Sequence, residues 1–183
     1  MIRKASSSLP NVTLVLGGAR SGKSIHAERL VEAEASGGVY LATAEAGDAE
    51  MVERIRSHRA RRGPSWTTVE EPTELAAAIG NHAAPDRPVL VDCLTLWLSN
   101  VMAAGRDVAG DRERLLGALT ATAGPVVLVS NEVGLGLVPT TPLGRAFRDE
   151  AGWLNQAVAA VAQRVIFVAA GIPLTLKEEE TAR

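Results

Sequence analysis

Cysteine is almost absent: Cys93 is the only one in 183 residues, which excludes an internal disulfide and every zinc site built from several thiolates. That usage fits a reducing cytoplasm. Excess charge of either sign is also missing. A formal net charge of −2 gives no broad attraction to nucleic acid or anionic lipid, so any basic site has to be local and no nucleic acid is expected as a partner. No uninterrupted apolar run reaches the ~20 residues of a membrane span, and the opening "MIRKASSSLPN" lacks the apolar centre of a signal peptide. There is neither a repeat of fixed period nor a low-complexity block.

What is present is an alternation of short β-rich runs with longer stretches of helical period. The predicted strands are "VTLVL" (12–16), "GVYLAT" (38–43), "WTTVE" (66–70), "PVLVD" (88–92), "PVVLVS" (125–130) and "RVIFVAA" (164–170), with a seventh near "PLTLK" (173–177). Several are apolar at nearly every position, as strands covered on both faces are. Between them, residues 23–35 place Ala27, Leu30 and Val31 at helical spacing, and 48–62 do so with Met51 and Ile55; 73–83, 111–123 and 143–163 give further helices. The pattern predicts a layered α/β fold with a mainly parallel sheet. Length and apolar content suit one domain, placed at 12–177, with a loose tail over 1–11 and a charged, solvated tail over 178–183.

The sharpest motif lies between the first strand and the first helix. Gly17, four intervening residues (Gly18, Ala19, Arg20, Ser21), then Gly22, Lys23 and Ser24 satisfy the P-loop pattern in the context it requires. Its glycines let successive backbone N–H groups point at phosphate oxygens, and the helix N-terminus adds its dipole. Lys23 is placed to reach the β and γ phosphates, and the Ser24 hydroxyl to bind Mg²⁺. Such a site also uses a carboxylate at the end of a neighbouring strand to hold the ion's water shell. Asp92, closing "PVLVD", is the candidate, and capping of a helix in "CLTLWLSN" is its local alternative.

In "DAEMVERIRSHRARR", a step of about 100° per residue puts His58 almost in line with Met51 and Ile55, flanked by arginines. Two readings fit: a histidine packed at a core edge, with arginines favoured by the helix C-terminal dipole, or a neutral imidazole that attacks phosphorus while the arginines neutralise the phosphates. His26, one turn into the P-loop helix, suits packing or support. His82, in "GNHAAPD", reads as a solvated loop residue.

The segments "GGARSGKSIHAE", "YLATAEAGDAEMVERIRSHRARR", "WTTVEEP", "VLVDCLTLWLSN" and "VSNEVGLGLVPTTPLGRAFRDEAGWLNQAVA" stand in the order found in the bifunctional adenosylcobinamide kinase / adenosylcobinamide-phosphate guanylyltransferase family of cobalamin biosynthesis. The chain resembles that family from about Leu14 to Lys177. The resemblance implies a P-loop NTPase (RecA-like) three-layer α/β/α domain that performs two reactions. A hydroxyl of adenosylcobinamide takes the γ-phosphate of ATP or GTP. A histidine then attacks the α-phosphate of GTP, and the resulting GMP-histidine passes GMP to adenosylcobinamide phosphate, giving adenosylcobinamide-GDP.

Carried over by resemblance, His58 is the guanylylated residue. Some relatives have two adjacent histidines there, and Ser57 stands at the first of that pair. Thr43, Ala44 and Glu45, then Arg59, Ala60, Arg61 and Arg62, then Glu70 and Asp92, line the guanine nucleotide. Some relatives have Glu at the position of Asp92, a change that either Mg²⁺ ligation or ribose contact would survive. "SNEVGLGLVP" (130–139), at a strand end, is either a connector or part of the ligand rim. The resemblance also implies a homotrimer. Two competing functions stay in view: a kinase without guanylyl transfer, and a nucleotide-driven regulatory module.

Overall fold

The computed structural model describes residues 9–35, 37–44 and 63–179. The expected helix over 48–62, with Ser57, His58, Arg59, Ala60, Arg61 and Arg62, lies outside the described residues, as does Glu45.

Seven strands form one sheet in the order β3-β2-β4-β5-β1-β6-β7. They are β1 (Val12–Gly17), β2 (Val39–Ala42), β3 (Thr67–Glu70), β4 (Val89–Asp92), β5 (Val126–Asn131), β6 (Arg164–Ala169) and β7 (Ile172–Glu178). All neighbouring pairs are parallel except β6 with β7. The described helices are α1 (Lys23–Glu34), α2 (Leu75–His82), α3 (Leu94–Ala103), α4 (Val108–Thr120) and α5 (Pro142–Val161).

Period-two alternation along the strands divides the core between two faces. Leu14 and Leu16 of β1, Val91 of β4 and Leu128 of β5 pack with Leu75, Ile79, Trp97, Leu98, Leu115, Leu119 and Leu154 from α2 to α5. Val15, Leu90, Val127 and Val129 point the other way, onto Ala27 and Val31 of α1. This makes the sheet the middle of three layers and explains why β4 and β5 are apolar at successive positions. Each fully buried leucine contributes about 1.5–3 kcal/mol of burial free energy.

The packed chain begins before the predicted boundary at residue 12. Leu9 is buried, and the Asn11 carbonyl accepts a hydrogen bond from Val126 N at 2.8 Å, extending the β1–β5 pairing. At the other end Glu178 belongs to β7, where its carboxylate takes bonds of 2.8–2.9 Å from Arg164, so the predicted tail cannot start at residue 178. β7 returns antiparallel through a two-residue turn in which Ala170 (φ 52°) and Gly171 (φ 79°) are both left-handed, the geometry that matches strand twist in tight hairpins. His82 sits in the last turn of α2 and not in a loop; its carbonyl accepts Arg87 Nε at 2.7 Å.

Because β1 to β6 run in one direction, their C-terminal ends form a single rim carrying Gly17, Ala42, Glu70, Asp92 and Asn131. Open α/β sheets bind ligands at such a rim.

Candidate nucleotide site

The turn after β1 is built by backbone demands that its residues meet. Gly22 lies at φ 95°, and a Cβ on it would stand 3.2 Å from Gly171 Cα. Gly17 is tighter: a Cβ there would lie 2.5 Å from both the Val168 carbonyl and Ser21 Oγ. Arg20 is also left-handed, at φ 56°. Ser21 N donates to Gly18 O at 3.3 Å, and the hairpin tip joins in as Gly171 N donates to Ser21 O at 2.8 Å. Lys23 opens α1 and is buried, its ammonium folded back onto Gly18 O at 3.0 Å. The Ser21 hydroxyl is buried with no hydrogen-bond partner among the described residues. An unmatched donor inside a phosphate loop, beside a buried ammonium and a helix N-terminus, suits an anionic ligand.

Gly17 through Ser24 therefore form one continuous unit at the end of β1, and Ala19 is exposed on it. Asp92 closes β4, two strands away across β5. It is not the cap of α3: that position belongs to Cys93, with no side-chain cap bond. The Asp92 side chain instead accepts Tyr40 Oη–H at 3.0 Å. Ala42 pairs with Asp92 on one side and Glu70 on the other, so the three share one row across the sheet. Glu70 ends the edge strand and is exposed.

Thr43 holds the rim together. Its buried hydroxyl donates to Cys93 O at 2.8 Å and accepts from Cys93 N at 2.7 Å, tying the end of β2 to the residue after Asp92. Asn100 of α3 donates to Thr43 O at 2.8 Å and to Pro72 O at 3.2 Å, fastening the neighbouring loop to the same point. With its hydroxyl spent on backbone, Thr43 orients the site from beneath. Ala44, next in the chain, is half-buried.

Between the phosphate loop and Asp92 stands the end of β5. Asn131 is paired with Gly17. Its amide donates to Thr95 Oγ1 at 2.7 Å, and its carbonyl accepts Asn155 Nδ2 at 3.2 Å; Asn155 Oδ1 also accepts Ser130 Oγ–H at 2.7 Å. Glu132 N donates to Gly17 O at 3.1 Å. Burial and the neighbouring Asp92 push the Cys93 thiol up, leaving it protonated and inert. The imidazole of His26 is pushed down by burial and then by Arg29, so it is neutral near pH 7, with Nε2 buried and unpartnered among the described residues.

The family of cobinamide kinases / cobinamide phosphate guanyltransferases (CobU) matches residues 13–176. The chain belongs to this family. The chain is 52% identical over 168 residues to the bifunctional adenosylcobalamin biosynthesis protein CobP of Pseudomonas aeruginosa, covering 91% of this chain and 97% of that protein. It is 39% identical over 182 residues to the corresponding CobU of Escherichia coli, covering 90% and 98%. Among solved structures, the flagellar accessory protein FlaH of Methanocaldococcus jannaschii superposes with a TM-score of 0.52 at 10% identity, over 92% of this chain and 78% of that one. The RadB recombinase superposes with a TM-score of 0.50 at 14% identity, over 87% and 74%. Similarity at that level establishes the P-loop NTPase, RecA-like fold.

Within this CobU-family fold, the structure brings together the P-loop, Asp92, Ala42, Thr43 and Glu70 on one rim. Three contributors have no local sequence signal. Asn100 reaches Thr43 across 57 positions and Tyr40 reaches Asp92 across 52, while Gly171 meets Ser21 from the far end of the chain. The segment 130–139 could be found from its asparagine, acid and glycines at a strand end, and two of its members, Asn131 and Glu132, do abut the loop.

Proposed function

We propose that this chain carries out both reactions of its family: phosphorylation of adenosylcobinamide with ATP or GTP, then transfer of GMP from GTP to adenosylcobinamide phosphate, giving adenosylcobinamide-GDP. The observation that carries the reading is the phosphate loop, folded with a buried Lys23 and an unpartnered Ser21 hydroxyl, in a chain matched to the family over 13–176.

Gly17, Gly18, Ala19, Arg20, Ser21 and Gly22 offer backbone donors to the triphosphate, and Lys23 swings from Gly18 O to the β and γ phosphates. Ser24 and Asp92 are the Mg²⁺ residues. Their hard oxygens fit that ion, and phosphate oxygens and water would share its shell. When bound, Mg²⁺ neutralises charge developing on the phosphates. Ala44, Glu45, Arg59, Ala60, Arg61, Arg62 and Glu70 line the guanine nucleotide, and Thr43 holds the rim on which they converge.

His58 is the nucleophile of the second reaction. Its nitrogen forms a bond to the α-phosphorus, pyrophosphate leaves, and the phosphate of the corrinoid then displaces the imidazole. Splitting the transfer this way suits imidazole, which is nucleophilic when neutral and leaves readily when protonated. The assembly we propose is a homotrimer in the cytoplasm; no described helix is long and apolar enough to cross a membrane. Supplying adenosylcobinamide, Mg²⁺ and GTP to the purified chain tests the whole reading: adenosylcobinamide phosphate and then adenosylcobinamide-GDP should form. A chain that only hydrolyses nucleotide in the presence of corrinoid would refute it.

A further inference from the structure

We propose that Glu132 is the proton acceptor of the phosphorylation step. This inference rests on the proposed kinase reaction, in which a hydroxyl attacks the γ-phosphorus. As the oxygen–phosphorus bond forms and the bond from the γ-phosphorus to the β–γ bridging oxygen breaks, the nucleoside diphosphate leaves and the hydroxyl proton needs a base within hydrogen-bond reach.

Four carboxylates stand on the described rim, and one of them, Glu71, is turned to the start of α2, where Oε1 accepts Thr73 N at 3.1 Å and Glu74 N at 2.7 Å. Glu70 ends β3, four strand positions from β1, about 19 Å at the usual spacing. Asp92 already accepts Tyr40 and, in the proposed function, serves the ion. Glu132 is the one locked to the phosphate loop itself, by its backbone N–H on Gly17 O at 3.1 Å and by the pairing of the preceding Asn131 with Gly17. Its side chain is also oriented: Oε1 accepts Gly134 N at 2.7 Å. Oε2 meets no donor among the described residues, so its lone pairs are available for a substrate proton. Beyond Glu132 the loop carries Leu135, Leu137 and Val138, 82%, 96% and 64% exposed. Glu132 thus joins the phosphate loop, through its backbone, to a loop whose exposed apolar side chains suit a large hydroxyl-bearing acceptor with apolar faces. The proton passes to Oε2 during attack and then to solvent.

The test compares Glu132→Gln and Glu132→Asp with the wild-type chain in two assays: phosphorylation of adenosylcobinamide, and guanylylation of supplied adenosylcobinamide phosphate. Losing a positioned base costs about 10²–10⁴-fold. Glu132→Gln should lose phosphorylation by at least the lower figure and keep guanylylation within about threefold, and Glu132→Asp should recover part of the phosphorylation rate. Phosphorylation by Glu132→Gln at the wild-type rate, or equal loss of both reactions, would overturn the assignment while leaving the family reactions intact. A wild-type chain inert in both assays would overturn the proposed kinase reaction as well.

Discussion

Lys23 and Thr43 show how single side chains at this rim divide between contact and support. Lys23 is buried with its ammonium on Gly18 O, a short swing from the space the loop encloses. Lys23→Ala should lower kcat/KM of phosphorylation by about 10²–10³, the usual loss when one charge-stabilising donor is removed. Thr43 acts differently. Thr43→Val keeps the shape but strips two buried bonds from the Cys93 backbone, so it should destabilise the fold by about 1–3 kcal/mol in denaturant titrations, with nucleotide affinity falling alongside. Unchanged stability would show that the hydroxyl is not what ties β2 to β4. By type and position Thr43 is legible as a rim residue. Its partner is not, because the bond joins residues 50 positions apart and leaves no local pattern.

At the scale of elements, the phosphate loop is held by a hairpin from the far end of the chain. Gly171 donates to Ser21 O, and a Cβ on Gly22 would crowd Gly171 Cα at 3.2 Å. Gly22→Ala should cost about 1–2 kcal/mol from the left-handed backbone alone, with further loss of nucleotide binding as the Gly171 contact is pushed back. Calorimetry with and without nucleotide separates the two losses. A second junction joins α2 to α4: Arg106 bonds Glu74 and, at 2.8 Å, both oxygens of Asp111, which also receives Arg114. Burial alone would raise the Asp111 carboxyl, but the two arginines outweigh it and hold it below its ordinary value. The unfolded chain therefore takes up the proton first on acidification. This stabilisation is complete above about pH 4 and is lost as pH falls through the lower native value. Arg106→Ala should move the midpoint of acid unfolding, followed by circular dichroism, to higher pH.

The strands are readable because a sheet covered on both faces must be apolar at consecutive positions, and "VVLVS" and "VLVD" are. Boundaries differ by one to three residues where capping and pairing decide them. The helix over Leu94–Ala103 shows in the sequence only as something Asp92 could cap. It forms because Leu94, Trp97, Leu98 and Val101 fall on one buried face. The direction of β7 is hidden, since a left-handed Ala170 is favoured by the closure of the hairpin and not by its own residue type.

For the whole molecule, one mainly parallel sheet collects the phosphate loop, the Asp92 carboxylate and Glu132 at one rim, and the proposed chemistry needs His58 to meet a nucleotide there. Incubating the chain with GTP labelled at the α-phosphate, then mapping the acid-labile adduct by mass spectrometry, tests that meeting directly. The proposed route predicts labelled GMP on His58, no label on the protein when the GTP is labelled at the γ-phosphate, and no adduct in His58→Ala while adenosylcobinamide is still phosphorylated. Label on His26 or His82, or no adduct under conditions where adenosylcobinamide-GDP forms, would contradict it.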